Sequence, residues 1–592
     1  MGEYLENPDA SRPSVIIVGA GAGGVATAAR LAAAGCKVTV IEKNDFSGGR
    51  CSLIHRNHYR FDQGPSLLLL PRLFRETFHD LGTSLEDEGV HLVKCEPNYT
   101  VHFHDDTAFK MSTDVATMKQ EIERFEGIDG FERYLAYLSE AHKHYELSII
   151  YVLKRNFFSF ASMLRPDFLR YLQTLHPFES VWRRTSIYFR TERLRRVFTF
   201  ASMYMGMSPF DAPGTYSLLQ YTELAEGIWY PIGGFHKVVD ALVKIGSRLG
   251  VEYQFNAPIQ QITLSEDGKR ATGVTFQDAS RAPLSADVVI CNADLTYAYN
   301  NLLPTTAYGT SLTRRETSCS SISFYWALDR QFPELTAHNI FLADDYAKSF
   351  DSIFKHHLIP DQPSFYVNVP SRVDPTAAPA GCDCIVVLVP VGHMMDSHTD
   401  THKGSSGGGA TPQQQDWDAM VASARATILH TMEQRLHISL GPHIIDEAIN
   451  TPPTWRTRFN LDRGAILGLS HSFFNVLSFR PKTKHPSINA LFFVGASTHP
   501  GTGVPIVLAG AKLVTDQVLR HLGLGHRIAR QDSSSLGGRG GGSQEKSSFR
   551  ATSPLDVPQS TTLLMQVLYL VFALLLTTLA LFVASKKKMM MM

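Results

Sequence analysis

The sequence predicts an α/β protein: a Rossmann-like nucleotide-binding domain assembled from discontinuous segments, an α+β second domain, and a C-terminal transmembrane helix. Three observations predict it. The apolar run Ser14 to Val18 passes through a glycine turn into an alanine-rich stretch ending at Ala34, and Lys37 to Ile41 follows. That order is a βαβ unit. Strand-like segments recur at Val251 to Phe276 and Ala286 to Cys291, then at Ala490 to Gly495 before a small-residue helix over Val507 to Leu519. One domain therefore draws on the start, middle and end of the chain. Finally, Leu563 to Ala584 is nearly unbroken in its apolar character. As a helix it spans about 33 Å, enough for a hydrocarbon core of about 30 Å.

A chain of 592 residues with 44% hydrophobic content accommodates two or three domains. The nucleotide-binding parts are expected at residues 14–100, 236–300 and 481–522, and the second domain at 101–235 and 301–480. Residues 396–415 and 523–560 are rich in Gly, Ser and charge; the first reads as a surface-loop insertion and the second as a flexible tether to the anchor at 563–584. Lys plus Arg equals Asp plus Glu at 56 each, so no overall field points to nucleic acid. Seven scattered cysteines lack zinc or disulfide spacing and read as reduced thiols, with no metal expected. Residues 1–13 lack the basic start and apolar core of a secretory signal. The catalytic part is therefore expected on the cytosolic side of a membrane, the endoplasmic reticulum being the natural one. No fixed-period repeat is visible.

The chemistry concentrates in glycine turns. Gly19, Gly21 and Gly24 fit GxGxxG between a strand and a helix. The first permits the tight turn, the second admits a pyrophosphate, and the third lets helix and strand pack closely. Glu42 ends the second strand, where a carboxylate accepts from ribose hydroxyls and repels a 2′-phosphate. Gly48, Gly49 and Arg50 complete the frame ExxxxxGGR, with Arg50 as a cation for phosphate or ribityl groups. Further on, Gly495 and the run Gly501, Thr502, Gly503, Val504 form a strand end, a glycine turn and a helix start, again suited to an anion.

The ExxxxxGGR frame resembles the flavin fold shared by amine oxidases and carotenoid desaturases. Tyr59 to Ser66 is similar to the same group, Gly495 to Pro505 (GASTHPGTGVP) resembles the C-terminal signature of the carotenoid desaturases, and Gly227 to Gly234 their central aromatic motif. The resemblance runs from about Ser14 to Leu522 and extends to fungal, filamentous-ascomycete members in FDQGPSLLLLP and MYMGMSPFDAP. It implies FAD as cofactor, with Gly64, Pro65 and Ser66 near the isoalloxazine. NAD stands as the alternative or additional dinucleotide, because the turn is common to both. It also implies stepwise desaturation of 15-cis-phytoene, a C40 polyene hydrocarbon, to lycopene and, with a further step, 3,4-didehydrolycopene, with a quinone or oxygen as electron acceptor. Trp229 and Tyr230 are candidates for the polyene channel, and His499 and Asp62 for a catalytic base. The region 144–200 alternates apolar stretches with arginines, as helices docking on membrane lipid do. A flavin amine oxidase and a carotenoid isomerase are the alternatives, with a non-catalytic escort-type protein of the same fold behind them. The GASTHPGTGVP turn favours the desaturase.

Overall fold

The computed structural model describes residues 12–395 and 415–526. The anchor at 563–584, nearly all of the tether and nearly all of the 396–415 insertion lie outside the described residues. Among the described residues no helix is long and apolar enough to cross a membrane.

A five-stranded, all-parallel sheet organises the molecule. Its order is Leu491–Phe493, Val288–Cys291, Ser14–Val18, Lys37–Ile41 and Glu252–Gln254. Strands covered on both faces need continuous apolar runs, which the VVIC and SVIIV segments supply. Helix Ala22–Ala33 packs between Val504–His521 and His236–Arg248. Its buried face is mostly glycine and alanine, so the three helices approach closely. The expected strand region 251–276 divides: only Glu252–Gln254 joins this sheet, while Ile259–Leu264 and Ala271–Phe276 form a separate antiparallel sheet with Leu284–Ser285.

The second domain is built on a seven-stranded mixed sheet. Its order is Ile444–Asn450, Ser320–Leu328, Cys384–Val391, Phe365–Asn368, His338–Phe341, Tyr99–His102 and Ala108–Met111. Only Tyr99–His102 and His338–Phe341 run parallel. Tyr99–His102 straddles the boundary expected at residue 100 and belongs to this second sheet. Helices Gly130–Ser148, Pro166–Leu175, Val181–Tyr188 and Trp417–Leu436 belong to this domain, the last packing its Met420, Ala424, Ile428 and Met432 into the core of the sheet. Cys384 begins a central strand, and burial raises its thiol pKa to about 12.

The C-terminal motif is held by one side chain. Arg480 is 1% exposed, and all five of its N–H donors meet backbone carbonyls. Nε donates to Thr498 at 3.0 Å, Nη1 to Ser470 at 3.0 Å and Asn475 at 2.6 Å, and Nη2 to Leu469 at 3.3 Å and Ala496 at 2.5 Å. No carboxylate pairs with it among the described residues, and burial lowers its pKa to about 10. Removing the guanidinium orphans several buried carbonyls at once. Arg480→Met is expected to lose about 3 kcal/mol or more of stability, and Arg480→Lys an intermediate amount; thermal melting of the purified variants measures both.

Candidate cofactor and substrate site

The glycine turns converge at the C-terminal edge of the parallel sheet, where open α/β sheets bind ligands. Gly19 has φ +99, a conformation that favours glycine, and its amide donates to Ile41 O at 2.7 Å. A Cβ on Gly24 would lie 2.1 Å from Gly19 O, and one on Gly21 would lie 2.8 Å from Asn292 Oδ1. Bare backbone is therefore required here. Helix Ala22–Ala33 opens at Gly21, which offers no side-chain cap, so its first amides and its positive end face the turn.

Glu42 is buried at this edge. Its Oε2 accepts from Ala20 N at 2.9 Å, and Oε1 accepts from Asn44 N and Nδ2, both at 2.9 Å. A carboxylate has about four lone-pair sites, so one remains for a ribose hydroxyl. Arg50, half-buried at the cavity wall, makes no hydrogen bond or ion pair among the described residues, and the nearby charge acting on it is that of Asp294. Burial raises the Asp294 carboxyl to about 6. A half-buried cation lining the cavity beside a bare glycine turn fits a pyrophosphate.

Gly19, Gly21, Glu42, Gly49, Arg50, Gly64, Pro65, Ser66, Gly495, Thr502, Gly503 and Val504 line one cavity of about 780 Å³. Gly24 and Gly501 do not line it but shape its wall. A Cβ on Gly501 would stand 2.4 Å from His471 Nε2, which accepts from Thr502 N at 3.2 Å.

Four expected site residues lie elsewhere. Asp62 is buried away from the cavity: its Oδ2 accepts from Tyr230 OH at 2.6 Å and its Oδ1 from Phe235 N at 2.7 Å. It fixes the turn after the aromatic motif, and Tyr230 is its hydrogen-bond partner rather than a channel wall. Trp229 turns to Glu226, donating to its carbonyl at 3.0 Å. His499 points outward from the glycine turn, with Nε2 at 2.7 Å from Arg155 O and its ring edge-on to Phe157. Burial lowers its pKa to about 4.

Asn292 is the residue the motifs did not single out. Its Oδ1 accepts from Gly24 N at 2.9 Å, its Nδ2 donates to Val494 O at 2.8 Å, and its backbone N donates to Val18 O at 2.7 Å. One side chain thus ties the first, middle and last segments of the domain together. The sequence signal was CNAD at the end of a buried strand, without a spacing rule to rank it.

From Ser66 the cavity continues into an arm lined by Ile149, Leu172, Phe200, Met203, Tyr204 and Tyr366, and it reaches Phe178, Phe473 and Phe479. Among the described residues its charged lining side chains are Glu42, Lys43, Arg50 and Asp294, all at the glycine cradle and none in the arm. Elsewhere, Glu140, His144 and His176 approach one another closely enough to suggest a metal. Both His144 nitrogens are already engaged, by Ser217 Oγ at 2.7 Å and Thr174 O at 2.6 Å, and Arg184 pairs with Glu140.

A two-domain fold with a glycine-built dinucleotide cradle and an apolar arm defines a flavoprotein oxidoreductase. The chain belongs to the flavin containing amine oxidoreductase family, which matches residues 22–395. It is 62% identical over 515 residues to the phytoene desaturase of Fusarium fujikuroi, covering 86% of this chain and 90% of that one. It is 58% identical to the phytoene desaturase of Cercospora nicotianae, with 87% and 90% covered, and 58% identical to that of Neurospora crassa, with 86% and 85% covered. The fold is shared with an oxidoreductase from Methanosarcina mazei (TM-score 0.56, 16% identity, 85% and 100% covered) and with putrescine oxidase bound to putrescine (0.55, 14%, 86% and 99%). FAD is the cofactor, and the protein is an FAD-dependent oxidoreductase. The cradle residues would hold its adenosine diphosphate portion.

Losing the Asn292 amide removes two hydrogen bonds between chain segments. Asn292→Ala is expected to weaken FAD binding by about 10- to 100-fold, measured as flavin fluorescence released on dilution.

Proposed function

We propose that the chain desaturates 15-cis-phytoene stepwise, reaching lycopene and, with a further step, 3,4-didehydrolycopene. The observation that carries this reading is the arm: it leaves the cofactor cradle and runs through apolar and aromatic side chains with no charge on its lining. A charged amine has no partner there, which sets aside the oxidase alternative. A polyene gains burial along its whole length instead. The phytoene desaturases at 50 to 62% identity support the same assignment.

When bound, FAD supplies the hydride-accepting chemistry. The chain's own residues orient and shield. Gly64 to Ser66 bring bare backbone and one hydroxyl to the junction of cradle and arm, and the apolar lining keeps water away from a developing polyene cation.

The substrate is insoluble, so it enters from lipid. Phe160, Phe479, Phe473, Phe474 and Phe178 form a contiguous aromatic patch, with neighbouring ring centroids 4.9 to 5.6 Å apart. Phe178 and Phe474 are 60% and 63% exposed, and Phe178, Phe473 and Phe479 also line the arm. Apolar rings exposed at a cavity mouth, beside the basic stretch 154–196, suit a membrane surface. The apolar segment 563–584 would hold the enzyme there as a single C-terminal anchor with the catalytic part facing the cytosol. A membrane quinone or oxygen would reoxidise the flavin.

The test is the pigment profile of bacteria that accumulate phytoene and express this chain. Coloured products lighter by successive pairs of hydrogens are expected, absent with Gly21→Trp and reduced with Phe178→Asp and Phe474→Asp, which also move protein from membrane to soluble fraction. Unchanged phytoene beside flavin-loaded protein contradicts the assignment.

A further inference from the structure

A buried chain of hydroxyls leads from the arm to a carboxyl group that none of the sequence motifs includes. Glu223 is 0% exposed within the helical turn Thr222–Glu226. Its Oε1 accepts from Tyr99 OH at 3.3 Å, and its Oε2 has no hydrogen-bond partner among the described residues. Tyr99 OH in turn accepts from Tyr204 OH, and Tyr204 lines the arm. Each hydroxyl therefore donates toward Glu223, away from the cavity. A second polar run flanks the first. Ser66 Oγ lies 2.8 Å from Tyr366 OH, Tyr366 OH lies 2.8 Å from His338 Nδ1, and the His338 ring packs on Tyr99 with centroids 5.9 Å apart. Ser66, Tyr366 and Tyr204 all line the same cavity.

We propose that Glu223 is the terminal proton acceptor of the desaturation, reached through Tyr99 from Tyr204, the member of the chain whose side chain lines the arm. The proposal rests on the desaturase reading. The hydride leaves one allylic carbon for the flavin with both electrons of its C–H bond. The adjacent carbon then gives its proton to Tyr204 oxygen as Tyr204 passes its own to Tyr99 and Tyr99 passes its own to Glu223 Oε1. The electron pair of that second C–H bond becomes the new double bond. One hydride and one proton have left the substrate, and the Glu223 carboxylate has become a carboxylic acid. Tyr204 is the catalytic residue of this step; Tyr99 and Glu223 act through it.

The surroundings suit the role. Acting on Glu223 are its burial and the Tyr99 hydrogen bond, and burial raises its pKa to about 8. The titratable groups around it are Tyr99, Tyr204 and Tyr137, all neutral phenols, with the buried, neutral His338 and Tyr366 beyond Tyr99. The Asn98 amide donates to the Glu223 carbonyl at 2.6 Å. With no cation against it among the described residues, the carboxylate keeps a high proton affinity.

The experiment uses the FAD-loaded full chain with phytoene in phosphatidylcholine vesicles. Anaerobic flavin reduction is followed against pH for wild type, Glu223→Gln and Tyr204→Phe, and the carboxylic-acid infrared band is titrated without substrate. Wild-type reduction is expected to rise with pH to a plateau above about 8, where Glu223 is ionised. Glu223→Gln lowers the plateau about 100-fold and removes the pH limb. Tyr204→Phe lowers the rate similarly while the infrared band still titrates, and that band is missing from Glu223→Gln. Wild-type rate and limb in Glu223→Gln, or in Tyr204→Phe should the first variant fail to fold, overturn the proposal. If wild type itself takes no hydride from phytoene, the desaturase reading fails and the relay falls with it, while the infrared titration still reports whether the carboxyl ionises.

Discussion

The hydrogen bonds of Asn292 are the interaction on which the rest depends. A cofactor cradle assembled from three distant parts of a chain needs something at their junction that satisfies groups from all three. The Asn292 amide can donate and accept at once, so it bonds Gly24 in the first segment and Val494 in the last, at sequence separations of 268 and 202 residues. Its own backbone amide extends the central strand pairing to Val18. Arg480 does the equivalent on the far side, gathering carbonyls from both arms of the C-terminal turn with its five donors. Neither residue touches the reaction, yet without them the glycine turns have no fixed mutual position.

Much of the fold was legible because its signals are local. Strand, glycine turn and alanine-rich helix follow one another within residues 14–41, and Gly21, Gly24, Gly48 and Gly64 occupy positions where a Cβ has no room. The tie residues were not legible. Asn292, Arg480 and His471 gain their meaning from partners that no spacing rule connects. The same holds for Glu223, whose Tyr99 partner lies 124 residues earlier in the chain. Trp229 and Tyr230 were misplaced for another reason. They form a short strand paired with Leu92–Lys94, where successive side chains point to opposite faces, and neither face is the cavity. His499 and Asp62 sit within cavity-lining motifs but turn their side chains to Arg155 and Tyr230.

The cavity combines two environments that one ligand would not need. At the cradle, a helix N-terminus, Glu42 and Arg50 would suit a charged, polar dinucleotide. Beyond Ser66 the wall is apolar and aromatic until it opens among exposed phenylalanines. The junction of the two is where a hydride acceptor meets a hydrocarbon. Ser66, Tyr366 and Tyr204 line the cavity with neutral hydroxyls, which do not burden the apolar arm with charge.

The most direct test of this account is the absorbance of the bound flavin when the FAD-loaded protein is mixed, without oxygen, with phytoene in vesicles. Bleaching of the oxidised flavin, with appearance of a product two hydrogens lighter in equal amount, is the predicted result. An unbleached flavin that nevertheless loses its colour on addition of a primary amine would contradict it.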